Sequence, residues 1–171
     1  MKNTIISIAV MGVLFVASSR MAFSASIAEE PLTVSTKHVS LEVALRIGKA
    51  AIDQCRKEGV QITVTVVDRA GHEQVVMRDV LAMDASIPIS KKKAYTAMVF
   101  NAPTSGLVDR FKGAYGVPKL ESLIVATGGI PINIGGNILG GIGVSGAPSG
   151  LTDEKCALAG LAAVRGDLEM E

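Results

Sequence analysis

The fold is decided by residues 127–146, which read TGGIPINIGGNILGGIGVSG. Nine of the chain's 18 glycines lie in this stretch or just after it, and they separate short runs rich in β-branched residues at 130–134 and 137–144. Glycine adopts positive φ without steric cost, so Gly135-Gly136-Asn137 is typical of a tight hairpin turn. The stretch therefore predicts two antiparallel strands joined by that turn.

A second hairpin is predicted earlier in the chain, after one helix. Ser40 precedes an amphipathic pattern that ends at Glu58-Gly59, which predicts the first helix. The alternating run at 60–67 then reaches the turn signal Asp68-Arg69-Ala70-Gly71, and residues 72–80 would form its partner strand.

The remaining segments complete an α+β pattern. We predict a helix capped by Ser86 that runs to about Phe100, a short helix capped by Thr104 that runs to Phe111, a strand at 123–127 and a final helix at 152–168. This order of elements predicts a layered α+β domain whose central, mainly antiparallel, five-stranded sheet is flanked by helices.

The first 28 residues have the order of a secretory signal peptide. Lys2 precedes an uncharged run at 5–17, and small residues follow up to Ala28. The run is shorter than the roughly 20 residues of a membrane helix, so we expect cleavage and no stable membrane span afterwards. We predict an N-terminal extension at 29–38, a single domain at 39–168 and a periplasmic or secreted location.

Charge and composition exclude two classes of protein. The chain has 17 Lys and Arg against 16 Asp and Glu, and removal of the leader leaves 15 against 16. A nucleic-acid partner is not expected, because phosphate neutralisation needs a basic surface. Hydrophobic residues make up 49% of the chain and charged residues 19%, which excludes global disorder.

Three features of the sequence bear on cofactor binding. The match to G-x-G-x-x-G at 141–146 favours a glycine-rich strand end over a dinucleotide site, because too few residues follow for a further parallel strand. His38 and His72 are too far apart in sequence to indicate a zinc site, and no metal site is predicted. His72, Tyr95 and Met98 are candidate ligands to a haem iron, although each also has an ordinary structural role.

The mature chain's aromatic residues cluster beside a lysine run. Lys91-Lys92-Lys93 occupies the middle of a predicted helix, and all four rings of the mature chain lie close by in sequence. We predict a ligand-binding region formed by Lys93, Tyr95, Phe100, Phe111 and Tyr115. The alternative is a solvated basic face on the helix.

Cys55 and Cys156 are the two cysteines of the chain, and the residues leave their state open. An exported chain with two cysteines could bridge its first and last helices, whereas Cys55 also fits the apolar stripe of its helix as a buried thiol.

These residues resemble the GlcG/HbpS family of small haem-binding-protein-like domains, which also occur at the C-terminus of PduO-type proteins. The resemblance covers residues 39–168. Its motifs are Val66-Val67-Asp68-Arg69-Ala70-Gly71-His72, Lys93-Ala94-Tyr95-Thr96-Ala97, Gly128-Gly129-Ile130-Pro131-Ile132, Gly140-Gly141-Ile142-Gly143-Val144-Ser145-Gly146 and Asp153-Glu154-Lys155-Cys156-Ala157. The sequence departs from the common pattern in its basic Lys91-Lys92 and in a short segment at 111–120.

The resemblance implies an α/β domain that forms homo-oligomers. It implies haem as the cofactor, as in the secreted members of the family, or a role in glycolate or diol metabolism, as in its cytoplasmic members. Because the position of Cys156 also matches intracellular members, the resemblance favours free thiols over a disulfide.

Three functions remain open from the sequence. The first is an exported haem-binding or haem-handling protein. The second is an enzyme or carrier for a small carboxylate or aldehyde, with Lys93 orienting the substrate and Asp68, His72 or Asp84 moving protons. The third is an oligomeric scaffold without a ligand. No catalytic residue is assigned, because the sequence shows no recognisable triad, carboxylate pair or P-loop, and a binding protein is favoured over an enzyme.

Overall fold

The computed structural model describes residues 31–171, so the predicted leader at 1–28 lies outside the described residues. In chain order the elements are α1 (Leu41–Lys57), β1 (Thr63–Asp68), β2 (Glu73–Arg78), α2 (Ser86–Phe100), α3 (Thr104–Arg110), a 3₁₀ turn (Val117–Lys119), β3 (Gly129–Ile134), β4 (Asn137–Ser145) and α4 (Gly150–Glu169). Residues 35–171 form one compact unit. None of the helices in the described part has the length and apolar character needed to cross a membrane.

The strands form one sheet in the order β2-β1-β4-β3, and every neighbouring pair is antiparallel. Both predicted hairpins are confirmed. The predicted fifth strand at 123–127 is wrong, and the sheet within the described residues has four strands. Instead of pairing with a strand, Ile124 in this segment contacts α2, where its N–H donates to the Thr96 hydroxyl at 3.0 Å.

One face of the sheet carries the main hydrophobic core. Alternate strand residues point to one face of a sheet, and on this face they pack against α1 and α4. The buried strand residues are Val64, Val66, Ile130, Ile132, Ile142 and Val144. Full burial of each such side chain contributes about 1.5–3 kcal/mol, so this layer supplies most of the driving force for folding.

The opposite face is covered by α2 and is made of small and hydroxyl-bearing residues. Thr63 and Thr65 share hydrogen bonds with the hydroxyls of Ser86 and Ser90, at 2.6 and 2.8 Å. Three strand glycines, Gly129, Gly141 and Gly143, lie directly under the helix backbone. A Cβ at Gly143 would stand 1.9 Å from the Ser90 carbonyl oxygen, so the glycines allow α2 to approach the sheet closely.

Two predicted helix caps are wrong for the same reason. The Ser40 hydroxyl caps α1 by accepting from the Val43 N–H, as predicted. Ser86 and Thr104 are instead the first residues of their helices, and their hydroxyls bond to the sheet. The Thr104 hydroxyl accepts from the Gly129 N–H at 2.8 Å.

Cys55 and Cys156 form a disulfide between α1 and α4, with an Sγ–Sγ distance of 2.09 Å. The expectation of free thiols is therefore wrong. Both cysteines are completely buried, and they lie where the apolar stripes of the two helices meet. The helix packing that buries the two cysteines therefore also brings them together, with 5.6 Å between their Cα atoms.

Candidate functional site

A cavity of about 820 Å³ opens at the end of the β1–β2 hairpin. The turn contributes residues 70–73, one face of α2 contributes Pro88, Lys91, Lys92 and Tyr95, and residues 120–122 complete the rim. The α2 residues recur at i, i+3, i+4 and i+7, so they form a single stripe along the helix.

Asp68 builds the turn that forms one wall. Its Oδ1 accepts the backbone N–H groups of Ala70 and His72, at 2.8 and 2.9 Å. Gly71 has a φ of +87°, and a Cβ there would stand 2.6 Å from the Tyr95 ring. Only glycine fits this position without strain, and its absence of a side chain lets the ring pack against the turn. The wall therefore holds His72 and Tyr95 side by side.

Both described histidines face the same carboxylate oxygen. The Nδ1 atoms of His38 and His72 lie 3.6 and 3.8 Å from Asp68 Oδ2. Burial raises the pKa of Asp68, but the two backbone N–H donors and the two imidazoles outweigh it, so this pKa lies below its usual value. The His72 side chain remains 81% exposed, which leaves its ring available at the cavity.

Lys91 and Lys92 bring two positive charges to the cavity, and Glu73 and Glu121 bring two negative ones. The Lys91 ammonium pairs with Glu73, and this hydrogen bond holds the pKa of the Glu73 carboxyl below its usual value. The predicted site did not include these two lysines, nor Glu73, Pro88 and residues 120–122. The helical spacing of the lysines from Tyr95 is the signal that could have found them.

Lys93 points in a different direction from its neighbours, because successive helix residues are about 100° apart. Its side chain is 5% exposed, and its ammonium donates to the Val144 carbonyl at 2.9 Å and to Asp153 at 2.8 Å. Burial raises the pKa of Asp153 above its usual value, in spite of the lysine beside it. The Lys93 ammonium therefore has internal partners, and the geometry does not support the prediction that it receives a ligand's carboxylate.

The predicted aromatic cluster is divided among three places. Tyr95 lines the cavity, whereas Phe100 and Phe111 form an edge-to-face pair with 5.1 Å between ring centroids. Tyr115 is 82% exposed, and the Lys119 ammonium lies 4.9 Å from its ring centroid. The structure therefore does not bring the four rings into one site.

Met98 lies in a small buried cluster with Val67 and Ala94, against which Tyr95 packs. It is 4% exposed, so its thioether is a core group. Of the three predicted iron ligands, His72 and Tyr95 line the cavity and Met98 does not. Among the described residues no group of three or more His, Cys, Asp or Glu side chains could hold a metal ion.

The sequence and the fold of this chain are both similar to those of known proteins. Residues 39–162 match the family model described as haem degrading protein HbpS-like. The chain belongs to the HbpS-like family. The resemblance inferred from the sequence motifs is thereby confirmed.

Two solved structures and one curated protein show how far the likeness extends. A double variant of HbpS from Streptomyces reticuli is 36% identical, with a TM-score of 0.75 over 82% of this chain and 97% of that one. A structure described as a PduOC:heme complex is 29% identical, with a TM-score of 0.69 over 74% and 94%. Protein GlcG of Escherichia coli K12 is 31% identical over 115 residues, or 63% of this chain and 81% of that protein. The fold of this chain, an antiparallel sheet flanked by helices, is thus similar to the folds of the HbpS and PduOC structures.

Proposed function

We propose that this protein is an exported haem-binding protein and that haem occupies the 820 Å³ cavity beside the β1–β2 turn. The observation that carries the proposal is one cavity that combines an exposed imidazole, an aromatic ring and two lysines. Cofactor pockets of about 300–1,000 Å³ are the usual size, and this cavity lies in that range.

The residues present fit a haem. Pro88, Tyr95 and Leu120 offer apolar surface to a porphyrin, and Lys92 can pair with one propionate. Lys91 can pair with the other by giving up its ion pair with Glu73, which is exposed and therefore weak, unlike the buried pair of Lys93. His72 would hold the iron through Nε2, because its Nδ1 faces Asp68. When bound, haem supplies iron-centred electron transfer or oxygen chemistry, and the protein sets the axial ligand and the polarity around it.

The comparisons support the same ligand. The HbpS-like family is described as haem degrading, and a neighbour of the same fold is described as a heme complex.

Export to the periplasm or beyond is part of the proposal, and two observations support it. Residues 1–28 have the composition of a signal peptide. The Cys55–Cys156 disulfide is the second, since disulfides persist mainly in oxidising compartments.

Titration of hemin into the purified protein tests the binding. We expect a saturable Soret shift at low micromolar protein. The double variant Lys91→Gln/Lys92→Gln removes the proposed propionate partners, and we expect several-fold weaker binding because exposed ion pairs contribute about 0.2–1 kcal/mol each. The matched control is Lys57→Gln/Lys112→Gln, which removes the same charge from exposed positions elsewhere. Absence of a saturable shift in the wild type would overturn the proposal.

A carrier or enzyme for a small carboxylate is the second candidate, since the same two lysines could hold a carboxylate. In this form of the hypothesis Lys91 and Lys92 replace Lys93, whose ammonium is paired with Asp153. A thermal shift with glycolate, together with no hemin binding, would favour this function over haem.

Self-association is also proposed. Val76, Val80, Leu81 and Met83 are exposed apolar side chains beside the edge strand β2, and such residues are common at interfaces between subunits. Gel filtration at several protein concentrations tests this. If the protein elutes as a monomer at every concentration and binds neither hemin nor glycolate, the scaffold function is excluded as well.

A further inference from the structure

A second groove, of about 460 Å³, lies on the other side of the β1–β2 turn. Its walls are residues 35–37 of the N-terminal segment, Arg69 of the turn, and residues 136–139 of the β3–β4 hairpin. It shares no lining residue with the larger cavity. The groove is therefore a separate site on the molecule.

The N-terminal wall is held in place by three contacts. His38 Nδ1 lies 3.6 Å from Asp68 Oδ2, which ties the segment to the turn. The Val39 side chain is buried in the core, and the Val39 carbonyl accepts a hydrogen bond from Gln74 Nε2 at 2.7 Å. Residues 35–37 thus lie against the turn although they belong to no helix or strand.

The charges in the groove are positive. Lys37 and Arg69 both line it, and no acidic side chain does. Within residues 31–171 no carboxylate oxygen lies within 4 Å of either cationic group, whereas other surface cations such as Arg46 and Lys49 have such partners. The carboxylate of Asp68, next to Arg69 in sequence, is occupied by backbone N–H groups and imidazoles.

Two carboxylates near the groove reduce its positive potential but do not line it. Lys37 also borders a smaller cavity of about 200 Å³ that includes Glu169 and Glu171. Neither carboxylate forms an ion pair with Lys37, so its ammonium can still serve the larger groove.

We propose that this groove binds the phosphate group of a small phosphorylated molecule. An arginine guanidinium matches the geometry of phosphate oxygens, and a lysine adds a point charge. The hydroxyl of Ser35 and the amide of Asn137 add neutral donors, whereas the Thr36 hydroxyl is paired with His38 Nε2 at 3.0 Å. The groove has room for an organic part beside the phosphate, since its volume lies within the range of small-molecule pockets.

Isothermal titration calorimetry at constant ionic strength tests the proposal, with inorganic phosphate, phenyl phosphate and acetate as probes. We expect saturable binding of both phosphates and weaker binding of acetate. The variant Lys37→Gln/Arg69→Gln should bind phosphate at least about tenfold more weakly, because a hydrogen bond to a charged group contributes about 1.5–3 kcal/mol.

The control Lys57→Gln/Lys112→Gln removes two positive charges from exposed positions outside the groove and should bind within about twofold of the wild type. Circular dichroism and thermal unfolding confirm that each variant is folded. No saturable phosphate binding by the wild type, or an equal loss in both double variants, would overturn the proposal. Hemin titration of Lys37→Gln/Arg69→Gln should be unchanged, which separates this site from the haem cavity.

Discussion

At the scale of single residues, α2 can pack on the sheet only because glycines beneath it have no Cβ atom. Gly143 lies under α2, and a Cβ there would stand 1.9 Å from the Ser90 oxygen and 2.4 Å from the Ala94 nitrogen. Both are backbone atoms, so no side-chain rotation could relieve the contact. The same helix that must approach the sheet here also carries Lys91, Lys92 and Tyr95 to the cavity.

Gly143→Ala should therefore be strongly destabilising. We expect a loss of at least about 3 kcal/mol, at the upper end of overpacking effects, measured by urea unfolding. Gly166→Ala is the matched control, because no atom lies within 4 Å of the Cβ position and the site is an exposed helix residue. The control should be neutral or up to about 1 kcal/mol more stable. Equal effects at both positions would contradict the packing of α2 on the sheet.

Lys93 has a structural role in this account, and its replacement tests that role. Lys93→Met leaves Asp153 buried without its partner, so we expect a loss of about 3–5 kcal/mol in unfolding free energy. Lys155→Met removes the exposed ion pair with Glu58 and should lose less than about 1 kcal/mol. A stable Lys93→Met protein with greatly weakened hemin binding would instead assign Lys93 to the ligand.

At the scale of elements, covalent and charged links join the helices to the sheet and to one another. The disulfide joins α1 to α4 across a sequence separation of 101 residues. Arg56, at the end of α1, donates to both carboxylate oxygens of Asp79, just after β2, at 2.7 and 2.9 Å. Each link ties distant parts of the chain, so each should matter for stability more than for ligand binding.

Removal of the disulfide should lower stability without changing the fold. A closed loop of about 100 residues restricts the unfolded chain, and we expect Cys55→Ala/Cys156→Ala to lose about 2–4 kcal/mol. Urea unfolding with and without reductant measures this. Reductant should shift the wild type toward the variant and leave the variant unchanged. Insensitivity of the wild type to full reduction would show that the bridge contributes nothing.

The Arg56–Asp79 contact predicts a pH dependence. The hydrogen bond from Arg56 lowers the pKa of the Asp79 carboxyl in the folded protein. A carboxyl with a lowered folded pKa adds stability above its unfolded pKa of about 3.9, and that contribution is lost as the pH falls through the folded pKa. Asp79→Asn should thus be less stable than the wild type at pH 7, and the difference should disappear in acid. A constant difference at all pH values would contradict this.

The elements themselves were largely predictable, because their signals are local. The hairpin around Gly135-Gly136 and the helix after Ser40 follow from turn chemistry and periodicity. The predictions of a strand at 123–127 and of helix caps at Ser86 and Thr104 were wrong. In each case the groups concerned bond to partners far away in sequence, which local signals do not reveal. The pairing of the cysteines likewise depends on how two helices cross.

At the scale of the whole molecule, the two hairpins and α2 converge to make the surface that binds ligands in this account. The β1–β2 turn separates two grooves, with His72 facing the larger and Arg69 facing the smaller. The sequence singled out His72 and Tyr95, which both line the larger cavity, and their part in ligand binding stays a prediction. It misplaced Lys93 and the other rings, because nearness in sequence does not decide which face of a helix a residue occupies.

The central claim is that the imidazole of His72 holds a haem iron, and a hemin titration of matched histidine variants tests it most directly. His72→Ala and His38→Ala each remove one of the two histidines that face Asp68, but only His72 lines the large cavity. We expect His38→Ala to keep the saturable Soret shift of the wild type and His72→Ala to lose or alter it. An unchanged Soret position and affinity in a folded His72→Ala protein would contradict the claim.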